Sequence, residues 1–530
     1  MNRVSRVRIF LVLLLFPVFI SQTCFAAKMP ITWKPCHINP LFQCASIPVP
    51  EDYSHPKRKM ISIAVARHNA TGARLGALVF NTGGPWSDDT ASIQYLFSEL
   101  SESIKAHFDL IGFAPRGTGS NPIACHTDQI DAEHKIERDL NLTMMNSEAG
   151  AQLDYESILK KRNLCQYGSL SKYANSKNTV QDLDEVRKAL NIDKIDYFGG
   201  SYGTHLGLAY LITYPEHVDR MVLDANLAPN NSSIDYLTGT APAIEKTLQH
   251  FIDQCVESGN QCALYRGSRT DTQSAFEKLI RQAEAAGIPT SETYKNRPLS
   301  AQMLMYVIIS AMGEQDSWPN LADMLNQAII NNNADELMKN YSAMMGYDPG
   351  SDNFKYYNDA AVFDSVFCTD YVFPESMQRE QTWLATMRNL RERYPLAGGM
   401  WGTYFAKECI QWPIKSEPLL PDTIKPLVGA NPKILLVANE YDNTTPAQWS
   451  HEVSAYLDKM NIANKVLTWE GSGHIAYHAN APLNGCVDTT VDQFLLTGAM
   501  PRINICNDKT NPFLDNAIKN THEKALRKFL

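Results

Sequence analysis

The sequence lacks the features that mark zinc-binding, nucleic-acid-binding and multi-span membrane proteins. Its 530 residues contain no CxxC motif and no paired Cys/His spacing, which argues against a metal site. Acidic residues outnumber basic ones by 57 to 48, and the formal net charge of −9 argues against nucleic acid and anionic membranes as partners. Internal repeats and low-complexity tracts are absent. Beyond the N-terminal region, no segment is long and apolar enough to predict a membrane helix.

The N-terminal region has the pattern of a cleaved export signal. Three arginines precede an apolar run from Ile9 to Ile20, and small residues lie at positions −3 and −1 of a cleavage site before Ala27. The run is too short to span a bilayer. We therefore predict a signal peptide over residues 1–26, no stable membrane span after cleavage, and a secreted or periplasmic protein. An uncleaved anchor and a lipoprotein site at Cys24 are the weaker alternatives.

The cysteines of the mature chain predict disulfides. Eleven are present and one leaves with the signal, and an even number in an exported chain favours disulfides over free thiols. Spacing alone does not determine the connectivity, so our hypothesis is that each cysteine pairs with its sequence neighbour. The predicted pairs are Cys36–Cys44, Cys125–Cys165, Cys255–Cys262, Cys368–Cys409 and Cys486–Cys506.

Apolar runs of strand length alternate with helical patterns in both the first and the last part of the chain. The predicted strands are Ile61–Arg67, Leu75–Phe80, Phe108–Phe113, Ile195–Phe198, Met221–Leu223, Lys433–Ala438 and Lys465–Trp469. This alternation predicts an α/β fold with a mostly parallel sheet. Helical periodicity dominates between them and predicts an inserted lid. The predicted domains are a core over 27–235 and 416–530, with a helical insertion over 236–415.

The segment Gly199–Gly203 (GGSYG) is the first element of a possible catalytic site. A predicted strand precedes it and an apolar helix pattern follows it, which is the context in which the G-x-S-x-G turn lifts a serine clear of a sheet. A serine hydroxyl needs a base, an acid that orients the base, and N–H donors for the oxyanion. We therefore predict Ser201 as a nucleophile that has an acid and a base elsewhere in the chain. The alternative is a tight strand-to-helix turn with a bystander serine.

The expected order of the catalytic residues in such a fold is serine, acid, histidine. Asp442 follows the predicted strand Lys433–Ala438. It therefore lies near the carboxyl end of that strand, where catalytic groups are found in open α/β sheets. We predict Asp442 as the acid, with Glu440 as the second candidate.

The predicted base is His474. It follows a predicted strand through a Gly-Ser-Gly loop, which gives the ring freedom to reach the serine. His478, one helical turn later, is the alternative base. Two further histidines after the acid, His451 and His522, read as surface residues.

The turn after an earlier strand supplies the predicted oxyanion donors. In Asn81–Trp86, glycine permits close approach of the backbone and Pro85 has no N–H to donate. We predict the backbone N–H groups of Tyr202 and Gly84 as donors, with Gly83 as the second choice for the latter.

These motifs together resemble one protein family. GGSYG, the GGP turn, DLIGFAPRGTGSNP, YDNTTP and GSGH, with the N-terminal WKPCxxxxxxxCASIPVPEDY and the stretch CVDTTVDQFLLTGAMPRINIC, are similar to the secreted tripeptidyl aminopeptidase branch of the prolyl aminopeptidase-like α/β-hydrolases. The resemblance implies an α/β-hydrolase fold with a helical lid and a Ser-Asp-His triad without metal or cofactor. It also implies carboxylates near the lid that hold the α-ammonium group of the substrate.

Two residues depart from the family pattern. Trp86 follows the GGP turn where relatives usually have glycine, and Ala114 stands where they usually have aspartate. Trp86 could narrow the acyl pocket. The candidate substrate-binding residues are Trp86, Glu440 and, by resemblance, Asp370.

Three hypotheses follow for the function. The first is a serine exopeptidase that releases short peptides from free N-termini, through attack by Ser201, proton transfer by His474 and orientation of the imidazole by Asp442. The second is an esterase or other acyl hydrolase with the same triad, since the fold does not determine the substrate. The third is an inactive scaffold that acts as a binding protein. The substrate expected of the first two is a peptide or a small acyl compound.

Overall fold

A ten-stranded mixed sheet forms the centre of the protein, whose structure is a computed structural model. The strands are Lys34–Pro35 (β1), Gln43–Pro50 (β2), Met60–His68 (β3), Gly76–Asn81 (β4), Phe108–Phe113 (β5), Ile195–Gly200 (β6), Val218–Asp224 (β7), Lys433–Tyr441 (β10), Ala463–Ser472 (β11) and Ile505–Cys506 (β12). The order across the sheet is β1-β2-β3-β5-β4-β6-β7-β10-β11-β12, and all pairs are parallel except β1–β2, β2–β3 and β3–β5. The structure describes residues 31–119, 122–123, 148–164, 168–230, 232–348, 350, 353–354, 359–396, 407–420, 425–427, 429, 431–478, 485–507 and 511–514.

Helices cover both faces of this sheet, because the central strands are apolar on both sides. On β5 and β4, for example, Ile111 and Val79 belong to one apolar cluster while Leu110 and Leu78 belong to another. The helices that pack around the sheet are Asp89–Leu96 (α1), Glu102–His107 (α2), Ser176–Ala189 (α4), Tyr202–Thr213 (α5), Ala447–Lys459 (α13) and Gly485–Thr497 (α14).

A helical cap lies between β7 and β10 in the chain. Its helices are Ser233–Ser258 (α6), Arg269–Ala286 (α7), Ala301–Met312 (α8), Trp318–Asn331 (α9), Asp335–Met345 (α10), Asp359–Asp370 (α11) and Glu380–Arg393 (α12), with a short pair of strands at Tyr347–Asp348 (β8) and Asn353–Phe354 (β9). Helices α6 to α10 enclose an apolar core of their own, built around buried side chains such as Phe251, Leu304 and Trp318. This part of the cap therefore has a core of its own, whereas Phe363 and Phe367 of α11 belong to an apolar cluster of the sheet.

The predicted strands and the mostly parallel sheet are confirmed, and so is the presence of helices between β7 and β10. The boundaries 236–415 of the insertion stay a prediction. Several elements were not predicted, among them β2 and α1. The helix Glu148–Leu164 (α3) is another, and although it precedes the serine in the chain, it packs against α12 of the cap. The sequence of α3 is only weakly amphipathic, so its helical structure depends on tertiary packing.

The described cysteines pair as predicted. Disulfides join Cys36–Cys44, Cys255–Cys262, Cys368–Cys409 and Cys486–Cys506. The fifth predicted pair, Cys125–Cys165, the predicted signal peptide over 1–26 and His522 lie outside the described residues. Across the part of the chain that the structure describes, no helix is both long and apolar enough to cross a membrane.

Candidate active site

Ser201 lies at a sharp turn between β6 and α5. Its backbone has a φ of 53° and a ψ of −125°, a conformation that a residue with a side chain rarely adopts. Such strain costs about 1–3 kcal/mol and persists where the surroundings enforce it. Here Ser201 N donates to Asp224 O at 3.0 Å, and Thr204 N donates to Ser201 O at 2.9 Å. The serine is thereby held at the carboxyl edge of the sheet, at the start of a helix.

The flanking glycines allow this turn because the backbone passes too close for side chains. A Cβ at Gly199 would lie 2.5 Å from Gly203 O, and one at Gly203 would lie 2.2 Å from Asn81 O. Both contacts are with backbone atoms, which cannot move aside as a flexible side chain can. The two outer glycines of the motif are therefore required by packing.

Asp442 and His474 are in direct contact. The His474 Nδ1 atom lies 3.0 Å from Asp442 Oδ2 and 3.1 Å from Oδ1. The carboxylate is buried and also accepts hydrogen bonds from the backbone of Thr444 and Thr445, both at 2.8 Å. This arrangement fixes the imidazole by its Nδ1 edge and leaves Nε2 for another partner.

The surroundings of His474 favour its protonated form. Burial lowers the pKa of the imidazole, but the carboxylates of Asp442 and, to a smaller extent, Asp224 together outweigh burial, and the pKa lies above its ordinary value of 6.5. Within the described residues, Ser201 Oγ and His474 share no hydrogen bond, a state that is common for catalytic pairs before substrate binds.

Asp224 lies at the end of β7. It holds residues 472–478, the loop that carries His474 (the histidine loop), beside the turn Gly199–Gly203 (the serine turn). Its Oδ2 accepts hydrogen bonds from Ala476 N at 2.9 Å and Tyr477 N at 2.8 Å, while its backbone carbonyl binds Ser201 N. Full burial raises the pKa of Asp224 to about 6. Sequence reasoning missed this residue, although it carries the signal used for Asp442, an aspartate directly after a buried strand. The acid was expected after the insertion, whereas Asp224 precedes it.

The turn Gly83-Gly84 lies directly against the serine turn. A Cβ at Gly83 would lie 2.9 Å from Tyr202 N and 2.5 Å from Gly200 O, whereas one at Gly84 would meet the backbone of Trp86. Gly83, the second choice in the sequence analysis, is thus the glycine packed against Tyr202. Gly84 has a φ of 105°, which favours glycine at that position as well.

A buried aspartate that the sequence analysis did not single out supports this turn. Asp89 accepts hydrogen bonds from Thr82 N at 2.9 Å, from Thr82 Oγ1 at 2.7 Å and from Asn81 Nδ2 at 2.7 Å. Burial raises the pKa of its carboxyl group to about 8. Asp89 therefore ties α1 to the backbone that leads into Gly83.

The cap contacts the histidine loop through the turn after α8. His474 N donates to Gly313 O at 2.9 Å, and Ser472 N donates to the side-chain Oε1 of Gln315 at 3.1 Å. Gln315 is itself buried. The backbone on both sides of Gly473 is thus held by the cap.

Three of the other predicted residues have partners that bear on their roles. Trp86 is half-buried, and its ring centre lies 5.7 Å from that of Phe363 on α11 of the cap. Glu440 is 41% exposed and pairs with Lys246 Nζ at 2.6 Å, whereas Asp442 is the acid in contact with His474. The alternative base His478 faces another carboxylate, with its Nδ1 3.4 Å from Asp488.

Asp370 requires a correction. The resemblance made it a candidate for contact with the substrate, but its side chain is fully buried. Its two oxygens accept hydrogen bonds from Ser176 and from the phenol of Tyr202. A carboxylate enclosed in this way has no open side for an α-ammonium group. Ala114, which with Trp86 departs from the family pattern, lies directly after β5. It is buried there, and its N–H donates to Ala64 O at 2.9 Å.

Comparisons with known proteins agree with this fold and its connectivity. A family profile described as alpha/beta hydrolase fold matches residues 76–260, which include the serine turn, and a profile described as TAP-like protein matches residues 394–510, which include Asp442 and His474. The chain belongs to the α/β-hydrolase family, and residues 394–510 are similar to TAP-like proteins. The fold and the family expected from the motifs are thereby confirmed.

Three curated relatives extend over most of this α/β-hydrolase chain. It is 28% identical to tripeptidyl aminopeptidase of Streptomyces lividans, with 89% of this chain and 86% of the relative covered. It is 26% identical to serine protease Hip1 of Mycobacterium tuberculosis, over 89% and 90% of the two chains. It is also 28% identical to carboxylesterase B of Mycobacterium tuberculosis, over 87% and 85%. The relatives that are similar to this chain thus include proteins named as peptidases and one named as an esterase.

Proposed function

We propose that this protein is a serine aminopeptidase that releases short peptides, tripeptides first among them, from free N-termini. The observation that carries the proposal is the contact between the Asp442 carboxylate and His474 Nδ1, on a loop that Asp224 ties to the Ser201 turn. Similarity to proteins named tripeptidyl aminopeptidase and serine protease supports the peptide as the substrate.

The mechanism proceeds through an acyl-enzyme. Ser201 Oγ attacks the carbonyl carbon of the scissile bond while His474 Nε2 takes the hydroxyl proton, and Asp442 stabilises the imidazolium that forms. The carbonyl oxygen becomes an oxyanion bound by the backbone N–H of Tyr202 and by one from the Gly83-Gly84 turn. The C–N bond then breaks as His474 gives its proton to the leaving amine. Water, deprotonated by His474, hydrolyses the ester and restores Ser201.

The second candidate function is hydrolysis of a carboxylic ester by the same residues. The similarity to a protein named carboxylesterase B favours it, since the same triad acts on both bonds. A third candidate, a binding protein without activity, has no specific observation in its favour.

A substrate panel separates these functions. We expect turnover of tripeptide p-nitroanilides with a free N-terminus and loss of turnover when the N-terminus is acetylated. Dipeptide and proline p-nitroanilides and a short-chain p-nitrophenyl ester complete the panel. Ser201→Ala is expected to remove all turnover, whereas Ser157→Ala, which removes a buried hydroxyl on α3, is expected to retain it.

The outcomes of the panel are distinct. Ester hydrolysis without anilide hydrolysis would reject the peptidase in favour of the esterase. Equal turnover of free and acetylated peptides would reject the requirement for a free N-terminus. An absence of turnover that depends on Ser201 would favour the binding protein.

The protein is proposed to act outside the cytoplasm after removal of residues 1–26. The basic and apolar pattern of that segment supports export, and so do the four disulfides, which persist in oxidising compartments. N-terminal sequencing of protein recovered from the periplasm or the medium is expected to begin at Ala27. A chain that retains the apolar run would instead indicate an uncleaved anchor.

A further inference from the structure

Tyr202 has a role for its side chain as well as for its backbone. Its N–H is the proposed oxyanion donor, while its phenol points away into a buried polar cluster formed by Tyr202, Ser176 and Asp370. The phenol donates a hydrogen bond to Asp370 Oδ2, and its oxygen lies 2.6 Å from Ser176 Oγ. Ser176 in turn donates to Asp370 from its backbone N–H and from its hydroxyl, both at 2.8 Å.

The three residues of this buried polar cluster come from separate parts of the fold. Asp370 is the last residue of cap helix α11, Ser176 is the first residue of α4, and Tyr202 is the first residue of α5. Asp370 and Ser176 are 0% exposed and Tyr202 is 6% exposed. The cap is thus joined to the residue directly after the proposed nucleophile by hydrogen bonds that water does not reach.

The end of α11 is itself firmly held. The disulfide Cys368–Cys409 closes two residues before Asp370, and Ser233 at the start of α6 donates from N and from Oγ to Val372 O, at 3.3 and 3.1 Å. Asp370 is therefore fixed on both sides along the chain. A carboxylate held in this way can hold the phenol in turn.

Burial adds to the strength of the link. It raises the pKa of the Tyr202 phenol well above 10, and the neighbouring Asp370 carboxylate raises it further, so that the phenol stays protonated and donates. A hydrogen bond to a charged acceptor in a buried site is stronger than one between neutral groups.

We propose that Asp370 and Ser176 are positioning residues for the oxyanion site, which act through the phenol of Tyr202 to hold its backbone N–H in place. Oxyanion donors lower the barrier only when they are already aimed at the position of the developing charge. The inference rests on the proposed function, because it assigns a role to residues around the same serine. The same role accounts for the position of the Asp370 carboxylate, which is buried beside Tyr202 and is not exposed to the site.

Tyr202→Phe tests the link, because it removes the phenol oxygen and keeps both the ring and the backbone N–H. We expect kcat to fall about tenfold with KM changed less than twofold, since a small displacement of an aligned group has effects of this order. The matched control is Tyr210→Phe. That residue is a buried tyrosine on the same helix whose phenol donates to the buried Asp184 at 3.2 Å, at the end of the helix away from the serine. It is expected to lower the melting temperature similarly and leave kcat unchanged.

A transition-state analogue separates positioning from stability. A tripeptide boronic acid forms a tetrahedral adduct with the serine and places an oxygen in the oxyanion site. We expect Tyr202→Phe to weaken its binding about tenfold, in step with kcat/KM, while binding of the tripeptide product changes less than twofold. Asp370→Asn replaces an accepting oxygen with a donor, so the same pattern is expected there. In the double variant the two losses should not add, because both residues act through one link.

Two results would overturn the inference. One is a Tyr202→Phe enzyme with unchanged kcat and analogue affinity, whatever its melting temperature. The other is full additivity of the Tyr202→Phe and Asp370→Asn losses. Tyr202→Phe keeps the test decisive if Asp370→Asn fails to fold. A wild-type protein without Ser201-dependent turnover would instead reject the proposed function, so the two failures are distinguishable.

Discussion

At the scale of single residues, the imidazole of His474 is subject to two opposing effects. Burial alone favours the neutral ring, and the Asp442 carboxylate favours the protonated one. Asp442, together with a smaller contribution from Asp224, prevails, so the pKa lies above 6.5. A general base must be neutral to accept the serine proton, and raising the pKa moves the loss of activity to higher pH.

The pH dependence of kcat/KM tests this balance. We expect activity to fall on the acid side with an apparent pKa above 6.5, because His474 becomes protonated there. Asp442→Asn removes the charge and leaves burial, so the acid limb should move to lower pH while kcat falls by a factor on the order of 10⁴. An acid limb that does not move in Asp442→Asn would contradict the assignment of His474 as the titrating base.

The catalytic candidates could be predicted because their order, serine, acid and histidine, can be read directly from the sequence. Ser201, Asp442 and His474 each follow a predicted strand, and the carboxyl ends of parallel strands lie on one edge of a sheet. Asp370 could not be predicted in its observed place. Its partner Tyr202 is 168 residues away in the sequence, and no local pattern records that contact.

At the scale of elements, the turn after α8 links the cap to the base. Gly313 accepts a hydrogen bond from His474 N, and the buried side chain of Gln315 accepts one from Ser472 N. The histidine loop is therefore positioned by the cap as well as by Asp224. The sequence predicts the helices of the cap by their periodicity, but not this contact, because it depends on how the cap sits on the sheet.

Gln315→Ala tests the contribution of that turn. Removing the acceptor of Ser472 N should loosen the loop that carries His474, and we expect kcat to fall up to about tenfold, since orientation of the base limits the rate. Gln302→Ala removes a glutamine of α8 that, among the described residues, makes no hydrogen bond to the histidine loop, and it should leave kcat unchanged. Equal kcat values for the two variants in steady-state assays would show that the turn does not position the base.

At the scale of the whole molecule, helices α6 to α10 of the cap have an apolar core of their own, while α11 packs into an apolar cluster of the sheet. Hydrogen bonds join the cap both to the turn after Ser201 and to the loop of His474.

The four observed disulfides match the predicted pairing of sequence neighbours. The pairing could be predicted because each disulfide joins cysteines that are neighbours in the order of the chain. The missed helix α3 shows the limit of such reasoning, since its packing against α12 joins distant segments.

The central claim is that Ser201 is the nucleophile of this α/β-hydrolase. The most direct measurement is to treat the full-length protein with a fluorophosphonate and to locate the adduct by peptide mass spectrometry. We predict a single adduct, on Ser201, whose formation slows as the pH falls below the pKa of His474 and is absent in Ser201→Ala. An adduct on another residue, or no adduct on active protein, would contradict the claim.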